Sequence, residues 1–237
     1  MSSPILRESD GRITTITLNR PEAGNRMTND MLVTLRESID GAAESRVIVL
    51  RGAGENFCLG RELPPPPGRE LSFEENKQIQ TEGMLALAAA FERSPAPVVG
   101  VVRGKVHGGG CAIAGLCDIT LASDDATFEL PEMTRGIPPL LATAALYPRM
   151  PRKALIHFIY STEPIDAKTA LALGLLSQVV PRGNLDKTAA VLVERIAGYA
   201  PPTVRAVKDY MQLAPGIERA RAVALAGDML VKAIMAK

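Results

Sequence analysis

Two apolar runs with no polar alternation, residues 47–50 and 98–102, restrict this chain more than any other feature. A strand that is apolar at every position has to be covered on both faces. Helical patterns separate these runs, so the sheet they belong to is largely parallel with crossover helices. The class is α/β. An N-terminal strand precedes them over residues 12–18, where Ile13, Ile16 and Leu18 sit among threonines and Asn19-Arg20-Pro21 closes the stretch. Thr28 is placed as the N-cap of a helix with Met31, Leu32, Leu35 and Ile39 on one face, stopping at Gly41. A further helix is predicted over 79–93, with Met84, Leu87, Ala88 and Phe91 on its apolar side, and a short strand over 118–122. Beyond it the pattern is helical over 140–146, 153–160, 166–173, 185–199, 203–213 and 217–234. The second half is a helical layer. The last helix carries Glu218, Arg221, Asp228 and Lys232 on one stripe and is apolar almost everywhere else, so either its own sheet or another subunit covers it.

Charge and cysteine content remove several function classes. Lys and Arg total 27 against 26 for Asp and Glu, which leaves no net field to draw the chain onto nucleic acid or an anionic membrane. No apolar run approaches the ~20 residues of a membrane helix, and residues 1–10 lack the basic-then-apolar pattern of a secretory leader; a cytoplasmic protein is expected. Cys58, Cys111 and Cys117 with only His107 and His157 make neither a disulfide framework nor a zinc site, so no metal is expected. Catalysis has to come from carboxylates, backbone dipoles or a histidine. Residues 63–76 hold four consecutive prolines, which forbid helix and central strand alike, and are taken as a loop.

Three segments place glycine or carboxylate where packing does not ask for it. Phe57-Cys58-Leu59-Gly60-Arg61-Glu62 follows a strand, and glycine at a strand exit frees amide N–H groups and lets another molecule approach the main chain; an ordinary tight turn would look the same. His107-Gly108-Gly109-Gly110 opens a helix, presenting unpaired donors at the positive end of its dipole. A phosphate loop wants Lys-Ser/Thr after the glycines and a dinucleotide site wants G-x-G-x-x-G; neither is present, so a developing oxyanion is the better match. Phe128-Glu129-Leu130-Pro131-Glu132 reads as a short strand ended by proline with a carboxylate just beyond. A Glu partly desolvated there has a raised pKa and can carry a proton, whereas a solvated loop Glu cannot do so as well.

In order and spacing, these pieces resemble the crotonase (enoyl-CoA hydratase/isomerase) superfamily. The resemblance rests on Ile16-Thr17-Leu18-Asn19-Arg20-Pro21 with Asn25, on residues 47–54 with Phe57-Cys58-Leu59-Gly60-Arg61, and on residues 97–110 with Cys117-Asp118-Ile119. Residues 128–132, Ala167 with Ala170, Gly174-Leu175 and Val179-Val180-Pro181 complete it. It implies a crotonase-like spiral of ββα units over residues 1–182 and a helical oligomerisation region over 183–237, assembled as a homotrimer or dimer of trimers. It implies action on an acyl thioester of coenzyme A, with the coenzyme entering as part of the substrate and no permanently bound cofactor. By position the amides of Arg61 and Gly109 polarise the thioester carbonyl and Glu132 moves the proton. Arg26, Cys58, Leu63 and Leu140 are placed against the substrate; Lys105 and Lys208 are further cations for the coenzyme, after Arg26. The acyl pocket falls to residues 63–76 and 140–147, where Leu140, Leu141 and Leu146 suggest an apolar chain.

The departures from the family pattern are as informative. Its first hydratase glutamate falls at Ala112, and the glycine that helps seat the water falls near Leu140, so water loses a holder. Double-bond isomerisation, which needs one carboxylate, is preferred. Hydration or dehydration of an unusual substrate is the rival, with His107 or Glu62 replacing the lost glutamate; His107 can equally cap a turn or fill a core gap. A non-catalytic binding protein of the same fold is the third reading. Relatives also continue past the equivalent of Lys237 with a segment that helps hold the coenzyme of the neighbouring subunit.

Overall fold

The structure, a computed structural model, describes residues 3–64 and 68–236; most of the proline run, Pro65, Pro66 and Pro67, lies outside them. In chain order the elements are β1 Ile5–Ser9, β2 Ile13–Leu18, α1 Asn29–Asp40, β3 Val47–Gly52, α2 Phe73–Lys77, α3 Gly83–Arg93, β4 Val98–Val102, β5 Lys105–His107, α4 Gly109–Leu116, β6 Ile119–Ser123 and β7 Thr127–Glu129. There follow α5 Leu140–Leu146, α6 Arg152–Ser161, β8 Ile165–Asp166, α7 Ala167–Ala172, β9 Gln178–Val180, α8 Leu185–Gly198, α9 Pro201–Leu213 and α10 Arg219–Met235.

The main sheet runs β1-β2-β3-β4-β6-β9, parallel throughout except for β1, which pairs antiparallel with β2. Every residue of β4 is buried, as its unbroken apolar run requires, because helices cover both faces. On one face α1, α3 and α4 build the large core around Ile16, Leu32, Leu50, Leu87 and Ile113; on the other, α8 presses Leu185, Ala189, Val193 and Ile196 onto Val47, Val99, Val101 and Leu121. A second, three-stranded sheet, β5-β7-β8, stands beside α4 and carries the site. The residue range 183–237 begins at a short turn ahead of α8, and α9 and α10 pack on each other beyond it, with no residue of α10 buried.

Some elements differ from their sequence-based expectation for local reasons. The chain is helical from Phe73, inside the stretch expected to be loop to residue 76. Ser72 accepts from the Glu75 amide and Glu75 caps Ser72 in return, a Ser-x-x-Glu signature that was readable in the sequence. A π-turn, Gln78–Glu82, then joins α2 to α3. The strand expected to reach Pro131 stops at Glu129, and Glu132 sits in a 3-10 turn, Pro131–Arg135. β1 had no signal because only Ile5 of its five residues is buried.

Candidate active site

The first wall of the site is the return loop after β3. Asn25, buried with a positive φ of 54°, accepts from the Arg20 amide and donates to the carbonyls of Ala53 and Asn56, each at 2.9 Å. This ties residues 24–27 to the loop. Leu59 N then donates to Gly24 O, Met27 N to Gly60 O and Glu62 N to Met27 O. In that parallel bridge between Met27 and Arg61, the Arg61 amide turns to the opposite side, and among the described residues it meets no acceptor.

The second wall is the glycine turn. His107 N donates to Cys58 O at 3.0 Å and Gly108 N to Glu129 O at 2.9 Å, so the turn is held between the return loop and β7. The Gly109 amide opens α4 and likewise has no acceptor among the described residues. Close approach explains the residue type: a Cβ at Gly110 would lie 2.2 Å from Cys58 O. One at Gly109 would lie 3.8 Å from Arg61 N, and one at Gly60 3.8 Å from Gly109 N, so both free amides border one gap. Main-chain donors converging on one point at a helix start suit an oxygen that gains negative charge.

Glu132 supplies the third part. Gly108 adopts φ 50°, ψ −114°, and a Cβ there would sit 2.3 Å from Glu132 Oε1, so the carboxyl lies directly on the bare glycine. Its Oε2 is buried with no hydrogen-bond partner among the described residues. Burial raises its pKa; its own amide and Arg135 oppose the rise, while Glu129 adds to it. A carboxyl so tuned is a stronger base once ionised. His107, half-buried, lies 3.5 Å through Nε2 from Glu129 Oε2 in the β5–β7 register; burial lowers its pKa more than Glu129 raises it. Burial thus favours the neutral imidazole.

A cavity of about 180 Å³ joins these groups. Arg26, Arg61, Leu63, His107, Gly109, Glu132, Leu140 and Leu141 all line it, together with Gln80, Met84, Ile137 and Arg135, which the sequence reading had not placed there. The Arg61 side chain leaves the gap: its guanidinium donates to Asn29 Oδ1 at 2.5 Å and to the Ile79 and Gln80 carbonyls, clamping the π-turn. The other candidate side chains lie off the cavity. Cys58 is fully buried with its thiol on Gly60 O and does not face the cavity. Glu62 pairs with Arg20 at 3.2 Å, and Lys208 is buried on Asp118 Oδ2 at 2.8 Å, so neither lines the cavity. Lys105 is exposed away from the cavity, and Leu146 is buried against Gly115 rather than on the acyl wall. Ala112 is buried in α4 with no titratable group.

The family model described as enoyl-CoA hydratase/isomerase matches residues 8–237. The rat protein named enoyl-CoA hydratase domain-containing protein 3, mitochondrial, is 32% identical over 197 residues, 81% of this chain and 64% of its own length. The chain thus spans somewhat less than two thirds of that relative. The short-chain-enoyl-CoA hydratase of Clostridium acetobutylicum is 31% identical over 212 residues, covering 86% of this chain and 79% of the relative. Among solved structures, an enoyl-CoA hydratase from Mycobacterium smegmatis superposes with a TM-score of 0.92 at 28% identity, covering 99% of this chain and 92% of the other.

Proposed function

We propose that this chain, which belongs to the enoyl-CoA hydratase/isomerase family, moves the double bond of an enoyl-CoA thioester with a single carboxylate. The observation that carries the reading is Glu132: a buried, unpartnered carboxyl with a raised pKa on the wall of the cavity that both free amides border, while Ala112 brings no second carboxyl. The Arg61 and Gly109 amides hold the thioester oxygen. Ionised Glu132 takes a proton from Cα of a 3-enoyl thioester, and the C–H pair moves into the carbonyl to give a dienolate whose oxygen the amides stabilise. The same carboxylic acid returns the proton at Cγ, which leaves a 2-enoyl thioester and regenerates the carboxylate. One removed oxyanion donor costs about 2.7–4 kcal/mol of barrier in comparable sites.

Purified protein incubated with 3-enoyl- and 2-enoyl-CoA in deuterated water tests this. Label entering Cα and Cγ without hydration supports it, and a hydroxyacyl product refutes it. Hydration is the second reading, favoured by the His107 imidazole, which lines the cavity beside Glu129 and can accept a water proton; a hydroxyacyl product lost in His107→Phe would establish it. Failure to bind acetyl-CoA in calorimetry would leave only a non-catalytic scaffold. The substrate brings coenzyme A, with Arg26 as its first cation. Residues 183–237 form the oligomerisation region of a homotrimer or dimer of trimers, supported by exposed Val223, Leu230, Val231 and Ile234 on α10 and tested by sedimentation. The three free, buried thiols accord with a cytoplasmic protein.

A further inference from the structure

We propose that the acyl group of the substrate carries a carboxylate, and that Arg135 receives it. This rests on the acyl-CoA reading above and deepens it. Glu132 and Arg135 are three residues apart in one 3-10 turn, where side chains at that spacing eclipse, so both stand on the same face and both line the cavity. From Arg135 the chain turns at Gly136 and runs directly into the Ile137, Leu140 and Leu141 wall. On the acyl-CoA reading this apolar wall takes the acyl chain; Arg26 also lines the cavity, on the segment bridged to Arg61.

Among the described residues the exposed guanidinium of Arg135 makes no ion pair and donates no hydrogen bond, a freedom that Arg26 shares on the same cavity. The Arg61 guanidinium, by contrast, is drawn away to Asn29 and to the Ile79 and Gln80 carbonyls. The charge of Arg135 is nevertheless felt inside: it acts on both Glu132 and His107. Glu132, in the same turn, forms no ion pair with it among the described residues. The cavity therefore presents a fork of five donors flanked by apolar side chains, which an alkyl chain cannot use and a carboxylate at the end of a short apolar chain can engage bidentately.

Calorimetry with two inert, saturated thioesters of equal length, adipoyl-CoA and hexanoyl-CoA, isolates the subsite from turnover. The wild-type protein is expected to bind adipoyl-CoA roughly tenfold or more tighter, the scale of one charge-assisted pair at a partly wet site, and the preference should shrink with added salt. Arg135→Met should bring the ratio close to one, with Arg135→Gln as the second test should the methionine variant fail to fold, and Arg135→Lys should keep part of it. Equal affinities in the wild type, a preference that survives Arg135→Met or Arg135→Gln, or one erased by Arg26→Met instead, would overturn the assignment. The two levels separate cleanly. Adipoyl-CoA preference without deuterium exchange into 3-hexenoyl- or 3-hexenedioyl-CoA keeps the subsite and removes the isomerase; exchange with equal affinities does the reverse. Binding of neither thioester removes both.

Discussion

Replacing Gly108 by alanine tests the core of the site with one methyl group. The new Cβ would start 2.3 Å from Glu132 Oε1 and 3.1 Å from its Cδ, and ordinary contact begins near 3.4 Å. The carboxyl must therefore retreat by roughly 1 Å, a displacement that in a positioned catalytic pair costs on the order of 100-fold in rate. That factor is about 2.7 kcal/mol of barrier. Separately, φ 50° with ψ −114° lies outside the regions an L-residue visits readily, so the variant loses about 1–3 kcal/mol of stability to strain. Gly11→Ala is the control: its φ is 88° but nothing lies within 4 Å, so it carries strain without collision. Initial rates of deuterium incorporation into 3-enoyl-CoA, read alongside urea melts, divide the two effects. Gly108→Ala should lose exchange while still folded, and Gly11→Ala should lose only stability. A folded Gly108→Ala that exchanges within about threefold of wild type, less than 1 kcal/mol of barrier, would mean that Glu132 is not the base held by this turn.

Glu132→Gln should abolish exchange by about 100- to 10,000-fold, the usual share of a general base. Because the folded-state pKa of Glu132 lies above its ordinary 4.5, the wild-type rate should rise with pH through that raised value. The carboxyl's contribution to stability is complete below the ordinary pKa and is lost as pH climbs through the folded one, so thermal melts of Glu132→Gln should decline less over that window than wild type. Lys208→Met removes the Nζ that bonds Asp118 and the Ala96 carbonyl; urea melts should show a loss of about 1.5–3 kcal/mol, while acetyl-CoA affinity in calorimetry stays unchanged. Burial pushes the Cys58 thiol up to about 12 and raises Cys111 and Cys117 as well, so a thiol reagent at pH 8 should modify none of the three until the protein unfolds.

Much of this protein was legible along the chain because its governing interactions are local. The unbroken apolar run of β4 announced a strand covered on both faces, Thr28 capped α1 as its spacing demanded, and the three glycines opened α4 where a turn had to end and a helix begin. Glu132 was likewise visible as a carboxylate just past a strand-ending proline. What the sequence could not decide was which side chains turn inward, since that depends on pairings between distant strands. The β5–β7 register sets Glu129 beside His107, and the following 3-10 turn lays Glu132 on Gly108 and brings Arg135 to the same wall. Packing of the return loop buried the Cys58 thiol while freeing the amide three residues later, and docking of α9 removed Lys208 from solvent onto Asp118, 90 residues away. Local spacing determined the elements and the chemically able residues; only the tertiary structure, through close backbone approach and the desolvation it enforces, determined which of them share one cavity.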